Sequence, residues 1–319
     1  MIFFKLYQQK IFSEILKKVY DLKKADLPNE LAEHDISGFY CSKKFLLRNN
    51  YFNLPFNFYS ALKLTDDNFQ IYFRKLNEIS KKTKKNVSLK IFNDYCEINK
   101  RHIANNPIIH LPNNYDAFFE KLSVNLKSNI KRSKNKLVRE KIQIITSSQH
   151  AVLKNFYNNI FVVQYIRKHL MVFQPYNLLR LLFKANILRV FVAIKDEHIL
   201  SGILCMNDGN VLHYNWGASL NYKNLSLGTL LIDHAIRHAI ENNYQYFDLG
   251  STPLTDTNLF NYKIRWGAQN YPVYEYYTLK STQNLDLNNS LLAFRKLYSH
   301  IPICILKKTV PKIIPWLVR

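Results

Sequence analysis

Four residues that could take part in proton transfer lie in the second half of the chain. His213 and Tyr214 are neighbours in segment 211–217, which is predicted to be a central strand. Adjacent strand residues face opposite sides of a sheet, so only one of the two can point into a cleft. Histidine could act there as a base, and tyrosine as a proton donor to a leaving group. Asp248, in a later predicted strand, could act as a base or hold Lys263.

Each of these four residues also has a purely structural interpretation. A lone strand histidine such as His213 usually satisfies its hydrogen bonds in place. The carboxylate of Asp248 could be a hydrogen-bonded structural group, and Lys263 could be a surface lysine on a loop. The residue types alone leave both interpretations open.

The segments around these residues predict an order of strands and helices in a mixed sheet. Alternating apolar patterns predict strands over 87–92, 143–145, 189–194, 199–206, 211–217, 246–250 and 272–279. Helical spacing predicts helices over 66–82, 115–141, 150–185 and 227–242. Residues 196–198 and 207–210 suit hairpin turns. Pro107 and Pro112 indicate a boundary region without regular structure.

Several short segments, in this order, resemble GNAT domains. Residues 192–204 resemble the first hairpin of that fold, and 246–251 resemble its F-D-x-G strand. Residues 261–268 look like the K-x-x-W-G signature, and 274–277 like the closing aromatic strand. The basic segment 122–141 is similar to a helix of the same proteins. Together these segments identify the chain as similar to the FemAB-like, BioF2-like acetyltransferases, over about residues 115–280.

The resemblance implies an α+β fold of tandem GNAT-like lobes with mixed central sheets. Residues 1–112 would form the N-terminal lobe, which the sequence supports only weakly. Residues 113–282 would form the acyltransferase domain, and 283–319 a basic, apolar C-terminal tail.

The activity that the resemblance implies is transfer of an acyl or aminoacyl group to an amine of a cell-envelope or surface-polysaccharide precursor. Lys263 would then point toward a phosphate or the reacting centre. Arg265 could pair with a phosphate, and Trp216 would line the core or the cleft wall. Lys131 and Arg132, on the basic helix, would recognise phosphate on a UDP-sugar, a lipid pyrophosphate or tRNA, unless they belong to a solvated face.

The segment expected to hold the acyl donor departs from the GNAT pattern. A GNAT pyrophosphate loop offers backbone N–H groups at a helix N-terminus, and it contains several glycines. The corresponding residues 224–229 keep only Gly228. Both acyl-CoA and aminoacyl-tRNA therefore stand as expected donors. In this fold the oxyanion would be held by backbone N–H groups where two strands separate, here near 213–216.

Net charge and cysteine spacing narrow the classes of partner and cofactor. A formal net charge of +22 attracts anions such as nucleic acid, anionic lipid or phosphorylated substrates. The alternative to an enzyme is therefore a non-catalytic GNAT-fold module that binds RNA or anionic lipid. The four cysteines show no C-x-x-C spacing, so no metal site is expected.

The ends of the chain bear on its location. Charged residues interrupt the apolar residues of 1–20, so no signal peptide is expected. No run of 18 apolar residues occurs in the chain. Segment 291–319 mixes basic, apolar and Trp residues, which suits a membrane interface or a segment docked on the N-terminal lobe. These features predict a cytoplasmic protein with peripheral contact at the inner face of the membrane.

Overall fold

The computed structural model describes residues 10–20, 23–24, 40–41, 51–52, 66–84, 87–92, 94, 99–168, 174–278, 301–302, 304–306 and 309. The helices are α1 (Lys10–Tyr20), α2 (Asp66–Thr83), α3 (Tyr115–Lys121), α4 (Val124–Arg139), α5 (His150–Phe156), a π-helix (Tyr157–Phe161), α6 (Val162–Arg167), α7 (Tyr176–Lys184), α8 (Leu227–Glu241) and α9 (Thr257–Ile264). The strands are β1 (Lys23–Lys24), β2 (Tyr40–Cys41), β3 (Tyr51–Phe52), β4 (Val87–Ile91), β5 (Lys100–His110), β6 (Gln143–Ser147), β7 (Leu188–Lys195), β8 (His198–Asp208), β9 (Val211–Ser219), β10 (Tyr246–Asp248), β11 (Thr252–Pro253) and β12 (Gln269–Tyr277).

All twelve described strands belong to one mixed sheet. Its order is β1-β2-β3-β4-β12-β5-β10-β9-β8-β7-β6, and β11 pairs with β5 beside this path. The pairs β9–β10 and β3–β4 are parallel, and the other described pairs are antiparallel. The predicted α+β class with a mixed central sheet is confirmed.

Short turns connect the three strands that lead to the site. Asp196 and Glu197 both have positive φ, 47° and 64°, between β7 and β8. Positive φ at both central residues is the conformation of the two-residue hairpin turn whose twist matches that of the flanking strands. Gly209, with φ of 66°, begins the turn between β8 and β9, and its N–H donates to Asn207 Oδ1. Both predicted hairpin turns are confirmed.

The sheet separates two apolar clusters, as alternate side chains on its strands show. Val190 and Val192 of β7 pack with α1, α5, the π-helix, α6 and α7. Phe191 and Ala193 alternate with these two valines along β7, and they pack on the opposite face with α3, α4 and α8. Helices therefore cover both faces of the sheet, and its central strands are buried on both sides.

Strand β5 is the main element that the sequence prediction missed. Residues 100–110 form an eleven-residue strand at the centre of the sheet, where a boundary region was predicted. Pro107 lacks a backbone donor, which made a strand improbable from sequence. Its carbonyl oxygen nevertheless accepts a hydrogen bond from Leu249 N at 3.0 Å. The strand tolerates Pro107 because the neighbouring positions supply the remaining ladder contacts.

Strand β5, from the first half of the chain, pairs antiparallel with β10, from the second half. Strand β12, from the second half of the chain, pairs with both β4 and β5 from the first half. The boundaries 1–112, 113–282 and 283–319 stay a prediction. Most of the C-terminal tail 291–319 lies outside the described residues. No described helix is both long enough and apolar enough to cross a membrane.

Candidate active site

Strands β9 and β10 run parallel for three residue pairs and then separate. The last pair joins His213 to Asp248. Beyond it, β9 continues along β8 as far as Ser219, whereas the chain after β10 forms β11 and pairs with β5. Within the described residues, β9 has no strand partner on this side after His213. We call the resulting opening beside residues 214–217 the wedge.

Gly250 lies where the two strands begin to separate. Its φ of 75° falls in the left-handed region, which favours glycine. A Cβ atom at this position would also lie 3.0 Å from the carbonyl oxygen of Tyr214. The chain can therefore pass this close to β9 only with glycine at residue 250.

Asp248 is the centre of a buried hydrogen-bond network beneath the wedge. Its Oδ1 accepts from Asn106 Nδ2 at 2.8 Å and from Gly250 N at 2.8 Å. Its Oδ2 accepts from His213 Nδ1 at 2.8 Å. The residue is only 5% exposed. The carboxylate thus joins β5, β9 and the turn that follows β10 through three hydrogen bonds.

His213 is fully buried between two carboxylates. Its Nδ1 donates to Asp248, and its Nε2 donates to Asp208 Oδ2 at 3.3 Å. Burial alone would lower the pKa of His213, but the hydrogen bonds and charges of Asp208 and Asp248 outweigh it and raise the pKa to about 9. At neutral pH both ring nitrogens are therefore protonated and bound. This geometry favours a positioning role for His213 over the predicted role of base.

The raised pKa of His213 predicts a particular pH dependence of stability. Because the folded-state pKa of about 9 exceeds the ordinary 6.5, the stabilisation is fully present below pH 6.5 and is lost as the pH rises through 9. The difference corresponds to about 3 kcal/mol. Urea unfolding of the natural chain and of His213→Gln should show a stability difference that shrinks across this range. A difference that stays constant with pH would contradict the charged network.

Lys263 projects from α9 to the turn after β10. Its Nζ donates to the carbonyl oxygens of Gly250, at 2.8 Å, and Ser251, at 3.2 Å. An ammonium group has three N–H donors, so these bonds leave one for a further acceptor. The residue is 6% exposed and belongs to a helix. It is therefore not the surface lysine on a loop that the structural interpretation expected.

The amine of Lys263 changes its protonation state slightly above neutral pH. Burial lowers its pKa to about 8, while the charges of Asp248 and Asp256 act in the opposite direction. The amine is therefore mostly protonated at pH 7 and neutral above about pH 8. A buried lysine poised in this range, at the edge of an opening in the sheet, is typical of a functional site.

Tyr214 and Trp216 lie on β9 next to the wedge. A β-bulge shifts the register there: Cys205 pairs with Tyr214 and Leu204 with Trp216, which leaves Asn215 as the extra residue. As a result Tyr214 packs with the α8-side cluster and Trp216 with the opposite one, although residues two apart normally share a face. Both aromatic rings are half-buried. Burial raises the pKa of Tyr214, which keeps its phenol protonated.

Gly228 lies in the first turn of α8. The N-cap residue, Ser226, makes no side-chain capping bond to this turn. A Cβ atom added to Gly228 would meet nothing within 4 Å, so open space lies above it. Backbone N–H groups at a helix start lack intrahelical partners and attract anions. The single glycine of the predicted donor loop thus lies where a phosphate could approach the helix.

The other predicted binding residues lie on exposed surfaces. Arg265 is the exposed C-cap of α9, two residues after Lys263. Lys131 and Arg132 lie on the outer face of α4, which packs against α8 with its inner face. The described contacts join Lys263, Asp248 and His213 around the wedge, with Tyr214 beside them. They do not join Lys131 or Arg132 to this group.

Sequence reasoning missed three residues of the site. Asn106 was hidden in the predicted boundary region, and Asp208 in a predicted hairpin turn. Gly250 was part of the F-D-x-G segment but was given no role. The whole chain contains only seven glycines, so a glycine at this position could have indicated a special backbone conformation. Among the described residues, no three His, Cys, Asp or Glu side chains are grouped so as to hold a metal ion.

The mixed sheet has a bulged strand, β9, which separates from its parallel neighbour β10 at the wedge. A family model described as an acetyltransferase (GNAT) domain matches residues 125–263, which include β9, α8, Asp248 and Lys263. The search of curated proteins found no match to this chain.

Solved structures of similar fold include FemX, the C-terminal domain of a putative lysylphosphatidylglycerol synthetase, and L-PGS. FemX is 14% identical, with a TM-score of 0.60 over 85% of this chain and 92% of FemX. The C-terminal domain of a putative lysylphosphatidylglycerol synthetase from Agrobacterium fabrum is 13% identical, with a TM-score of 0.59 over 91% and 92%. L-PGS from Bacillus licheniformis is 11% identical, with a TM-score of 0.54 over 91% and 96%. These similarities establish the fold.

Proposed function

We propose that this chain is an N-acyltransferase of the FemAB-like, BioF2-like type. It would transfer an acyl or aminoacyl group to an amine of a cell-envelope or surface-polysaccharide precursor. The observation that carries the proposal is the buried amine of Lys263, which the carbonyl oxygens of Gly250 and Ser251 hold at the mouth of the wedge.

The wedge supplies what acyl transfer to an amine requires. As the neutral amine attacks the acyl carbonyl carbon, its oxygen becomes an oxyanion that needs hydrogen-bond donors. Backbone N–H groups of 214–217 and the remaining N–H of Lys263 would provide them. Tyr214, whose phenol stays protonated, would donate a proton to the leaving group and regain one from the nitrogen of the newly bonded amine. Asp248 and His213 would hold the two strands at the required separation.

Acyl-CoA and aminoacyl-tRNA have phosphate in common, and the start of α8 suits a phosphate. The open space above Gly228 and the uncapped first turn would accept the anion. Arg265, exposed at the end of α9, would pair with a second phosphate. The acyl group would then enter the wedge from the α8 side. The binding experiment described next distinguishes the two donors.

Placing a negative charge in the first turn of α8 should weaken donor binding. Gly228→Asp would repel a phosphate there, and we expect the affinity for the donor to fall at least about 10-fold, which is the effect of roughly 1.4 kcal/mol. The measurement is calorimetry against acetyl-CoA, longer acyl-CoAs and charged tRNA at physiological salt.

The matched control is Asn243→Asp, which makes the same charge change just beyond the other end of α8. Asn243 is exposed and has a φ of 60°, which aspartate tolerates. Its donor affinity should equal that of the natural chain. Equal weakening in both variants, or binding of no donor at all, would count against the proposed enzyme.

The structures of similar fold and the net charge support a proposed acceptor and location. FemX and the lysylphosphatidylglycerol synthetases support a cell-envelope substrate. The net charge of +22 favours a phosphorylated or lipid-linked glycan precursor, and also tRNA as a partner. We place the protein in the cytoplasm, at the inner face of the membrane. The predicted contact through 291–319 belongs to this proposal.

The alternative function is a non-catalytic GNAT-fold module that binds RNA or anionic lipid. The exposed basic face of α4 favours it, because that face can bind anions without the wedge. The two functions differ at Lys263. Replacement of Lys263 would reduce turnover about 10²–10³-fold in the enzyme and would leave binding unchanged in the module.

A further inference from the structure

Helix α4 presents an outer face that the proposed acyl transfer does not use. Its inner residues Leu126, Ile130 and Leu137 are buried against the cluster that contains α8. Val124 and Val138, at its two ends, are 78% and 79% exposed. They are fourteen residues apart, about four helical turns, so they lie nearly on one line along the helix.

Three cations between and beside these valines have no carboxylate within ion-pair distance among the described residues. They are Lys131, Arg132 and Arg139, and all three are exposed. Lys131 lies exactly seven residues from each valine and contacts the ring of Phe119 with its Nζ 5.8 Å from the centroid. The outer face therefore combines uncompensated positive charge with apolar side chains in water.

In the described part of the chain, the charged residues next to this face form ion pairs, unlike the three cations on it. Lys134 pairs with the buried Asp233 at 2.7 Å and so ties α4 to α8. Glu140, the carboxylate that borders the face, is bound by Lys223 at 2.7 Å and Lys195 at 3.3 Å. The negative charge near the face is thus already compensated, and the face remains positive.

A groove of about 880 Å³ runs along this face. The described residues that line it are Val124, Lys127, Ser128, Lys131, Arg132, Asn135, Lys136, Arg139 and Glu140. Because Lys131, Arg132 and Arg139 are exposed, phosphate groups can reach them from the solvent. None of the described residues that line the groove carries an aromatic ring on which a nucleic-acid base could stack.

We propose that the outer face of α4 docks on the surface of an anionic phospholipid bilayer. Phosphate headgroups would occupy the groove beside Lys131, Arg132 and Arg139. Val124 and Val138 would enter the boundary between headgroups and acyl chains. The exposed valines favour a lipid surface over RNA, since apolar side chains gain free energy by leaving water at a bilayer but not at a phosphate backbone. This inference does not depend on the proposed acyl transfer.

The test is co-sedimentation of the full chain with vesicles of phosphatidylcholine containing about one third phosphatidylglycerol, and with vesicles of phosphatidylcholine alone. Each basic residue near an anionic surface contributes about fivefold in affinity. The variant Lys131→Gln/Arg132→Gln/Arg139→Gln should therefore bind the anionic vesicles about 100-fold more weakly. Val124→Ser/Val138→Ser should bind them about 10-fold more weakly.

The control Lys154→Gln/Lys168→Gln/Lys184→Gln removes three exposed charges from helices on the opposite face of the sheet. It should bind within about threefold of the natural chain. Equal loss in the control, or unchanged binding in the α4 variant, would overturn the proposal. A third outcome would also overturn it: the valine variant binds vesicles normally, and the α4 charge variant loses affinity for an RNA duplex. RNA would then be the ligand. Thermal unfolding verifies that each variant is folded.

Discussion

Replacing Lys263 by methionine is expected to reduce acyl-transfer turnover by about 10²–10³-fold, the effect of removing one oxyanion donor. Methionine fills a similar volume but cannot donate a hydrogen bond. In the natural chain, activity should also fall as the pH rises through about 8, because the pKa of Lys263 lies there and the neutral amine carries no positive charge. The measurement is the pH profile of single-turnover rates with the donor that calorimetry identifies.

The same substitution should leave stability nearly unchanged, which separates a role in chemistry from a role in folding. Because burial lowers the pKa of Lys263 from 10.5 to about 8, the charged amine destabilises the fold below pH 8, by about 3 kcal/mol relative to an exposed lysine. This penalty vanishes as the pH rises toward 10.5. Methionine removes it but leaves the carbonyl oxygens of Gly250 and Ser251 without this donor, at about 1–3 kcal/mol each. The two effects roughly cancel.

Lys154→Met is the matched control, since Lys154 is exposed on α5, on the opposite face of the sheet. It should retain full turnover. If Lys263→Met keeps turnover within threefold of the natural chain, then the amine does not serve the reaction. If instead its unfolding temperature collapses, the lysine is chiefly a structural link between α9 and the turn after β10.

Removing the carboxylate of Asp248 should have the largest effect on stability. Asp248→Ala removes one hydrogen-bond partner of His213 and deprives Asn106 and Gly250 of an acceptor. Breaking a buried charge network in this way costs about 3–5 kcal/mol. Asp248→Asn keeps an acceptor for Asn106 and Gly250, so it should be less destabilising. Equilibrium urea unfolding at pH 7 measures both values.

Asp116→Ala controls for the loss of a carboxylate, because Asp116 is exposed in the first turn of α3. It should change stability by less than about 0.5 kcal/mol. An Asp248→Ala variant as stable as this control would mean that the network beneath the wedge contributes nothing to the fold. The roles that we propose for His213 and Asp248 would then be wrong.

The sequence predicted the strands and turns near the site because their signals are local. The hairpins around Asp196 and Gly209 depend on residues that tolerate positive φ, and helix α8 depends on apolar spacing within fifteen residues. Residues 246–251 and 261–268 could be recognised because a few residue types at fixed spacing define them. The fold class and the neighbourhood of Lys263 and Asp248 followed from these signals.

What could not be predicted depends on contacts between distant parts of the chain. Strand β5 contains Pro107 and polar residues that read as a boundary, and only pairing with β10 and β12 makes it a central strand. The partners of Asp248 likewise come from residues 106 and 213. Asp208 falls in a segment predicted as a turn, and no local pattern shows that it would bind the same histidine as Asp248. The charge of His213 follows only from that three-dimensional arrangement.

The central position of β5 has a consequence for how the chain is synthesised. Its partners β10 and β12 follow it by well over a hundred residues, so they leave the ribosome much later. At about 5–20 residues per second, the completed strand waits on the order of 10 s for them. During this interval an eleven-residue strand that contains the apolar residues Ile108 and Ile109 near its end has neither neighbour in place. The nascent chain is then most open to aggregation and to chaperones, and the wedge forms only when β10 arrives.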